Sequence, residues 1–163
     1  MAKRRKPMRL QALTFDGYGS GQTDFAALVS NTPQPDMNML LTVVDIIAGQ
    51  VTQPVANQFI SIIVVGHSDR QDNPNFSCDQ RRESEITAAR DRADSAWSWI
   101  KSTVSSRAAE AGFDAGEWWE TSPQVTWGMV FAATGMLRHD PPSDAERRLN
   151  RRVVILVSLF NPQ

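Results

Sequence analysis

The sequence predicts an α+β protein: a two-layer sandwich in βαβαββ order, with a mixed four-stranded sheet and two main helices on one face. Three observations carry this expectation. Residues 37–49 and 83–112 place apolar side chains at helical spacing. Short runs rich in β-branched residues stand before, between and after those segments. The chain has 163 residues, 41% of them hydrophobic and 21% charged, so one ordinary core can be buried without disulfide or metal staples.

Taken in order, "MRLQALTF" (8–15) alternates apolar and polar residues with one irregularity, as a half-buried first strand does. "DGYGSGQTD" and "SNTPQPD" are rich in glycine and proline and mark a long irregular connection over 16–36, with a short helical turn at "FAALV". Asp36 is expected to N-cap the first main helix, in which Met37, Leu40, Leu41, Val44, Ile47 and Ala48 recur until Gly49 stops it. "QFISIIVVG" reads as a central strand buried on both faces and ends in Gly-His-Ser-Asp. A polar loop follows over 70–80. The second main helix carries Ile86, Ala89, Ala93, Ala96, Trp97, Ile100 and Val104 on one stripe and ends at Gly112. Arg92 falls at the border of that stripe, where its stem packs and its guanidinium reaches toward a groove. "FDAGEWWETSPQ" reads as a loop, "VTWGMVFAAT" as a third sheet strand, "GMLRHDPPSDAERRLN" as a connector ending in a polar helical turn, and "RRVVILVSLF" as the last strand.

Composition excludes several functions. A net charge of −1 gives no general polyanion-binding surface, so no nucleic acid is expected; the basic start, with Lys3, Arg4, Arg5, Lys6 and Arg9, is the one local exception. The single cysteine, Cys78, excludes an internal disulfide and any multi-cysteine metal site, and it sits in a polar stretch as an incidental or a reactive thiol. No stretch approaches a membrane span, and the basic start leads into no apolar segment of the secretory kind, so synthesis in the cytoplasm without a signal peptide is expected.

The cluster His67, Ser68 and Asp69 invites a catalytic triad. Consecutive residues of an extended chain point to opposite faces and cannot converge, and no GxSxG elbow is present. The only other histidine, His139, lies in the Pro-rich connector. Asp69, Asp72, Asp79 and His67 fit no metal-binding spacing, and the chain carries neither GxxxxGK[ST] nor GxGxxG, so no metal, cofactor or enzymatic activity is expected. A binding reading remains. Asp69 at the end of a central strand and Arg92 on the following helix suit a zwitterionic ligand, or else bridge one another structurally.

"VVGHSD", "RADSAWSWI" and "LNRRVVILV", in this order across β and α segments, resemble the C-terminal peptidoglycan-binding domain of the OmpA-like family, which also occurs in MotB-type and Pal-type proteins. The resemblance spans roughly 37–159, so residues 1–36 read as a basic arm, first strand and Gly/Pro-rich connection, and 37–163 as the OmpA-like domain, within a single globular unit. It implies that Asp69 and Arg92 grip diaminopimelate in the peptide stem of the wall. It further implies that Asn150, Arg151 and Arg152 line or support the same groove, with Arg151 in contact, that Ser68 keeps the hydroxyl of the family's Thr, and that His67 shapes the strand end. Arg92 follows Asp69 by 23 positions, a wider spacing than the family's. Glu85 replaces an asparagine, with two outcomes: it binds an ammonium, or it pairs with Arg92 and closes the site. Trp118 and Trp119 mark either a protein interface, a sugar-stacking surface or core filling.

The function expected from the resemblance is therefore a non-enzymatic peptidoglycan-binding module. The absence of a signal suggests a component of a phage particle, tail, baseplate or contractile injection assembly, with protein partners met through the basic arm and the Trp118/Trp119 segment. The alternative is a structural protein of such an assembly that reuses the fold without binding wall.

Overall fold

The structure, a computed structural model, describes residues 9–132 and 143–160. The basic arm, His139 and the end of the predicted third strand lie outside the described residues. Along the chain run β1 (Arg9–Asp16), α1 (Phe25–Asn31), α2 (Met37–Thr52), β2 (Phe59–His67), α3 (Cys78–Glu110), α4 (Trp118–Thr121), β3 (Val125–Ala132), α5 (Asp144–Asn150) and β4 (Arg152–Phe160). The strands form one sheet in the order β1-β4-β2-β3. β4 pairs antiparallel with both β1 and β2, and β2 pairs parallel with β3, so the sheet is mixed as expected. The short helices α1 and α5 fall where the sequence predicts helical turns, whereas α4 forms within a predicted loop.

Alternation along the strands decides where the core sits. Leu13 and Phe15 of β1, Ile60, Ile62 and Val64 of β2, Val125 of β3, and Val153, Ile155 and Val157 of β4 face the helices and are buried. The intervening residues face outward, where Leu10 is 69% and Ile63 40% exposed. This corrects the expectation that β2 is buried on both faces. A run of β-branched residues reads the same with one covered face or two, and here the helices cover only one.

α2 packs beside α3, and both send their apolar stripes into this core. α2 runs to Thr52, so Gly49 does not stop it. Buried Ala48 and Gln50 on either side anchor the last turn, which outweighs the roughly 1 kcal/mol that glycine costs inside a helix. Asp36 stands at the start of α2, but its carboxylate accepts from the Thr14 amide on the free edge of β1 (2.8 Å) instead of capping the helix. Gln34 joins it there by donating to the Asp16 carbonyl at 2.9 Å, so side chains satisfy backbone groups of an otherwise bare edge.

α3 begins at Cys78, earlier than the predicted loop allowed, because Ser77 and Gln80 form a capping box. Cys78 is thus an exposed first-turn residue of a helix. Trp119 is buried, edge-on to Trp97 with ring centroids 5.1 Å apart, so it fills the core and offers no interface; Trp118 stands edge-on to Trp119 at 5.3 Å.

The sheet and α3 approach closely at Gly66. A Cβ built there would lie 1.9 Å from the Ala89 carbonyl oxygen of α3 and 3.1 Å from the Ala93 Cβ. The obstacle is helix backbone, which has no rotamer with which to yield. Gly66→Ala is therefore expected to destabilise the protein by about 2–3 kcal/mol, read as a lowered urea midpoint at unchanged slope. An unchanged midpoint would show that the two layers are free to separate there.

Candidate functional site

Beyond His67 the chain leaves the sheet, and the turns of α3 before Ala89 overhang the sheet's end. About eleven residues at 1.5 Å rise make an overhang of about 16 Å, and the loop after β2 folds against it. A pocket of about 220 Å³ lies in this corner, lined by Ser20, Gly21, Ser68, Asp69, Arg70, Gln71, Asp72, Ser84, Glu85, Ala88, Arg92, Arg147 and Arg151.

Arg92 forms one side. It is 2% exposed, its Nε donates to the Gln22 carbonyl at 3.0 Å and its Nη1 to the His67 carbonyl at 2.8 Å. The guanidinium also sits 5.1 Å from the centre of the buried Tyr18 ring, a cation–π contact. Two carbonyls and a ring therefore set its orientation from behind, while among the described residues Nη2 has no hydrogen-bond partner. Burial pushes the guanidinium down to about 10, which leaves it charged at neutral pH.

Asp69, 8% exposed, forms the opposing side. Its Oδ1 accepts from Asn150 Nδ2 at 2.9 Å, and its Oδ2 accepts from Arg147 Nη1 at 3.2 Å, with Arg151 Nη2 3.6 Å away. Among the described residues, the ion pairs of Asp69 run to Arg147 and Arg151, so Asp69 and Arg92 do not bridge one another. Arg151 is in turn oriented by Asp144 at 3.0 Å.

Of the residues singled out by sequence, Asp69, Arg92, Arg151, Ser68 and Glu85 line one pocket. His67 and Asn150 stand behind it, supplying the carbonyl that holds Arg92 and the amide that holds Asp69. Arg152 turns away, donating to the Leu149 and Asn150 carbonyls. Glu85 does not pair with Arg92. Its Oε1 accepts from the Gln71 amide at 2.8 Å, so it pins the loop after β2 to α3 and leaves the pocket open.

Sequence reasoning missed Arg147, Tyr18, Gln22 and Gln71. The signal for Arg147 was present: Arg147, Asn150 and Arg151 are spaced i, i+3, i+4, one face of a helix, and α5 with Arg151 at its C-cap presents them together to Asp69. Tyr18 and Gln22 gave none, because a Gly-rich connection carries no periodicity from which burial can be read.

The His-Ser-Asp cluster does not assemble as a triad. The imidazole Nδ1 is buried without a hydrogen-bond partner, and the carboxylate lies among arginines. Among the described residues no group of three or more His, Cys, Asp or Glu is placed to hold a metal ion, and no helix is long and apolar enough to cross a membrane.

The sheet and this corner define an α+β module with a polar pocket in which buried charges of opposite sign face one another. No protein-family model matches the sequence, and no curated protein matches it. Among solved structures, the chain is similar to the cell wall anchor of the T6SS from Pseudomonas aeruginosa, at 16% identity over 94% of this chain and 82% of that one, with a TM-score of 0.42. It is also similar to the periplasmic domain of Helicobacter pylori MotB, at 18% identity over 90% of this chain and 80% of that one, with a TM-score of 0.32.

Burial, with the nearby positive charge of Arg152 second, pushes the His67 imidazole down to about 4. A lowered folded-state value means that the unfolded chain takes up the proton first. Stability from a neutral His67 is thus complete above about pH 6.5 and lost as pH falls toward about 4. Wild type is expected to lose stability relative to His67→Gln across that window in urea titrations, since carboxylates common to both cancel. A difference that stays flat from pH 7 to 4.5 would contradict it.

Proposed function

We propose that the protein is a non-enzymatic peptidoglycan-binding module, with Asp69 and Arg92 gripping a diaminopimelate-type residue of the wall peptide. The observation that carries this reading is the pairing of a buried carboxylate with a buried guanidinium on one pocket of about 220 Å³. Each is held from behind. The Asp69 oxygens retain lone pairs for an ammonium, and Arg92 retains Nη2 for a carboxylate. The "GHSD", "RADSAW" and "LNRRV" resemblance supplies the same two residues independently of the geometry. Arg151, Ser68 and Glu85 complete the wall of the pocket in this reading; His67 and Asn150 position the two charges. The setting we propose is a phage particle or contractile injection assembly that meets the wall.

A second reading, a structural protein of such an assembly without wall binding, is favoured by the open sheet face. Leu10, Ile63, Val130 and Phe160 stand exposed there, an apolar surface that an assembly would cover.

Sedimentation with purified sacculi separates the two. Wild type is expected in the pellet, and Asp69→Asn and Arg92→Lys, each checked for a retained melting transition, are expected to bind at least about tenfold more weakly, the cost of an unpaired buried group. Wild type left in the supernatant sinks the binding reading; mutants that sediment like wild type sink the assigned site. Release of soluble fragments from labelled sacculi would overturn the non-enzymatic assignment.

A further inference from the structure

Arg147 forms part of the wall of the Asp69 pocket, and one side of its guanidinium already holds a carboxylate that the grip on Asp69 does not require. Nη1 donates to Asp69, whereas Nη2 pairs with Asp72. The other Asp72 oxygen takes Arg70 Nε at 2.6 Å. The two carboxylates differ in kind. Asp69 is buried and further held by Asn150 and Arg151, while the Asp72 side chain, on the loop after β2, is 38% exposed and bound by arginines.

We propose that the Nη2 edge of Arg147 is a carboxylate-binding site of the pocket, and that Asp72 is its resident intramolecular occupant, displaced when a carboxylate-bearing ligand enters. The inference deepens the wall-peptide reading and rests on it: the ligand's ammonium goes to Asp69 and its carboxylate to the guanidiniums of Arg92 and Arg147.

Three features support the exchange. A guanidinium binds one carboxylate best through two parallel hydrogen bonds, yet Arg147 divides its fork between two aspartates, so neither receives the full geometry. The Asp72 carboxylate is open to solvent, 38% exposed against 5% for the Asp69 side chain, so its pair with Arg147 is the weaker of the two and the one to yield. The loop is pinned one residue earlier, where Glu85 accepts from the Gln71 amide, so the Asp72 side chain swings away without unfolding the loop. Charge agrees as well. The pocket is lined by four arginines and three carboxylates, and withdrawing Asp72 leaves an excess of positive charge suited to a ligand with more carboxylate than ammonium. Hydrogen bonds from Arg147 and then Arg70 hold the Asp72 carboxyl below the usual carboxylate range, so it occupies the site as an anion at neutral pH.

The test measures, by calorimetry at low ionic strength, binding of a soluble stem tripeptide containing diaminopimelate and of the same peptide with its diaminopimelate carboxylate amidated. Asp72→Asn is expected to bind the free-acid peptide about three- to tenfold more tightly than wild type, because the self-occupied state no longer competes. Arg147→Gln is expected to weaken binding about tenfold or more. In the double variant the Asp72→Asn gain should vanish, as it should for the amidated peptide. Binding by Asp72→Asn no tighter than wild type, or a gain that persists without Arg147, overturns the inference while leaving the wall-peptide reading intact. Wild type that binds neither peptide overturns both.

Discussion

The absence of a side chain at Gly66 lets the backbone of α3 rest directly on β2, and the site depends on that contact. The Ala89 carbonyl occupies the space where a Cβ would stand. Arg92, three residues further along the helix, is thereby carried to within 2.8 Å of the His67 carbonyl, one residue past the glycine. A wider layer spacing would lengthen this bond and every contact built on it. The same approach makes α3 overhang the sheet's end, and the overhang holds the loop through Glu85 and Gln71. Core packing and the geometry of the pocket are therefore one constraint seen from two sides.

That constraint carries an energetic burden, since it puts Arg92 out of water. Desolvating an ion costs several kcal/mol even after relaxation. Two charge-assisted hydrogen bonds to carbonyls, at about 1.5–3 kcal/mol each, and the cation–π contact with Tyr18 offset a cost of that size. Two of these three partners come from the connection after β1, where Tyr18 supplies the ring and Gln22 a carbonyl. The Gly-rich stretch is thus a structural wall of the pocket, and its irregular backbone is what lets a ring and a carbonyl approach one guanidinium from different directions.

The sequence disclosed those parts of the molecule that repeat. Helical stripes in α2 and α3, alternation in β1 and the terminal β-branched run predicted the α+β class and the strand and helix order, because periodic burial leaves a periodic pattern. Features set by a single contact were harder to read. β2 was expected to be buried twice over, since Ile63 and Val65 look alike facing helix or solvent. Gly49 and Asp36 obey local rules of helix ending and capping that packing overrode: Ala48 and Gln50 hold the last turn of α2, and the Thr14 amide takes the Asp36 carboxylate. At the site, Asp69, Arg92 and Arg151 were legible through their motifs. Arg147 shares a helical face with Asn150 and Arg151 in the sequence, but its pairing with Asp72 depends on α5 lying across from the loop after β2, a tertiary fact that this spacing does not encode.

Under the proposed binding reading, opposed charges make the pocket selective as well as receptive. A simple anion drawn to Arg92 also meets Asp69, and a simple cation drawn to Asp69 meets Arg147 and Arg151. Each would leave one buried charge worse off than the hydrogen bonds within the protein leave it. In the proposed binding reading, only a ligand bearing both charges, in the order and at the separation the walls impose, improves on those internal bonds. Discrimination then arises from the penalty on wrong ligands as much as from attraction to the right one. This also gives the surplus of arginines a physical reason. Arg147 and Arg151 hold the buried Asp69 carboxylate on the side away from Asn150, so its orientation is set by three donors.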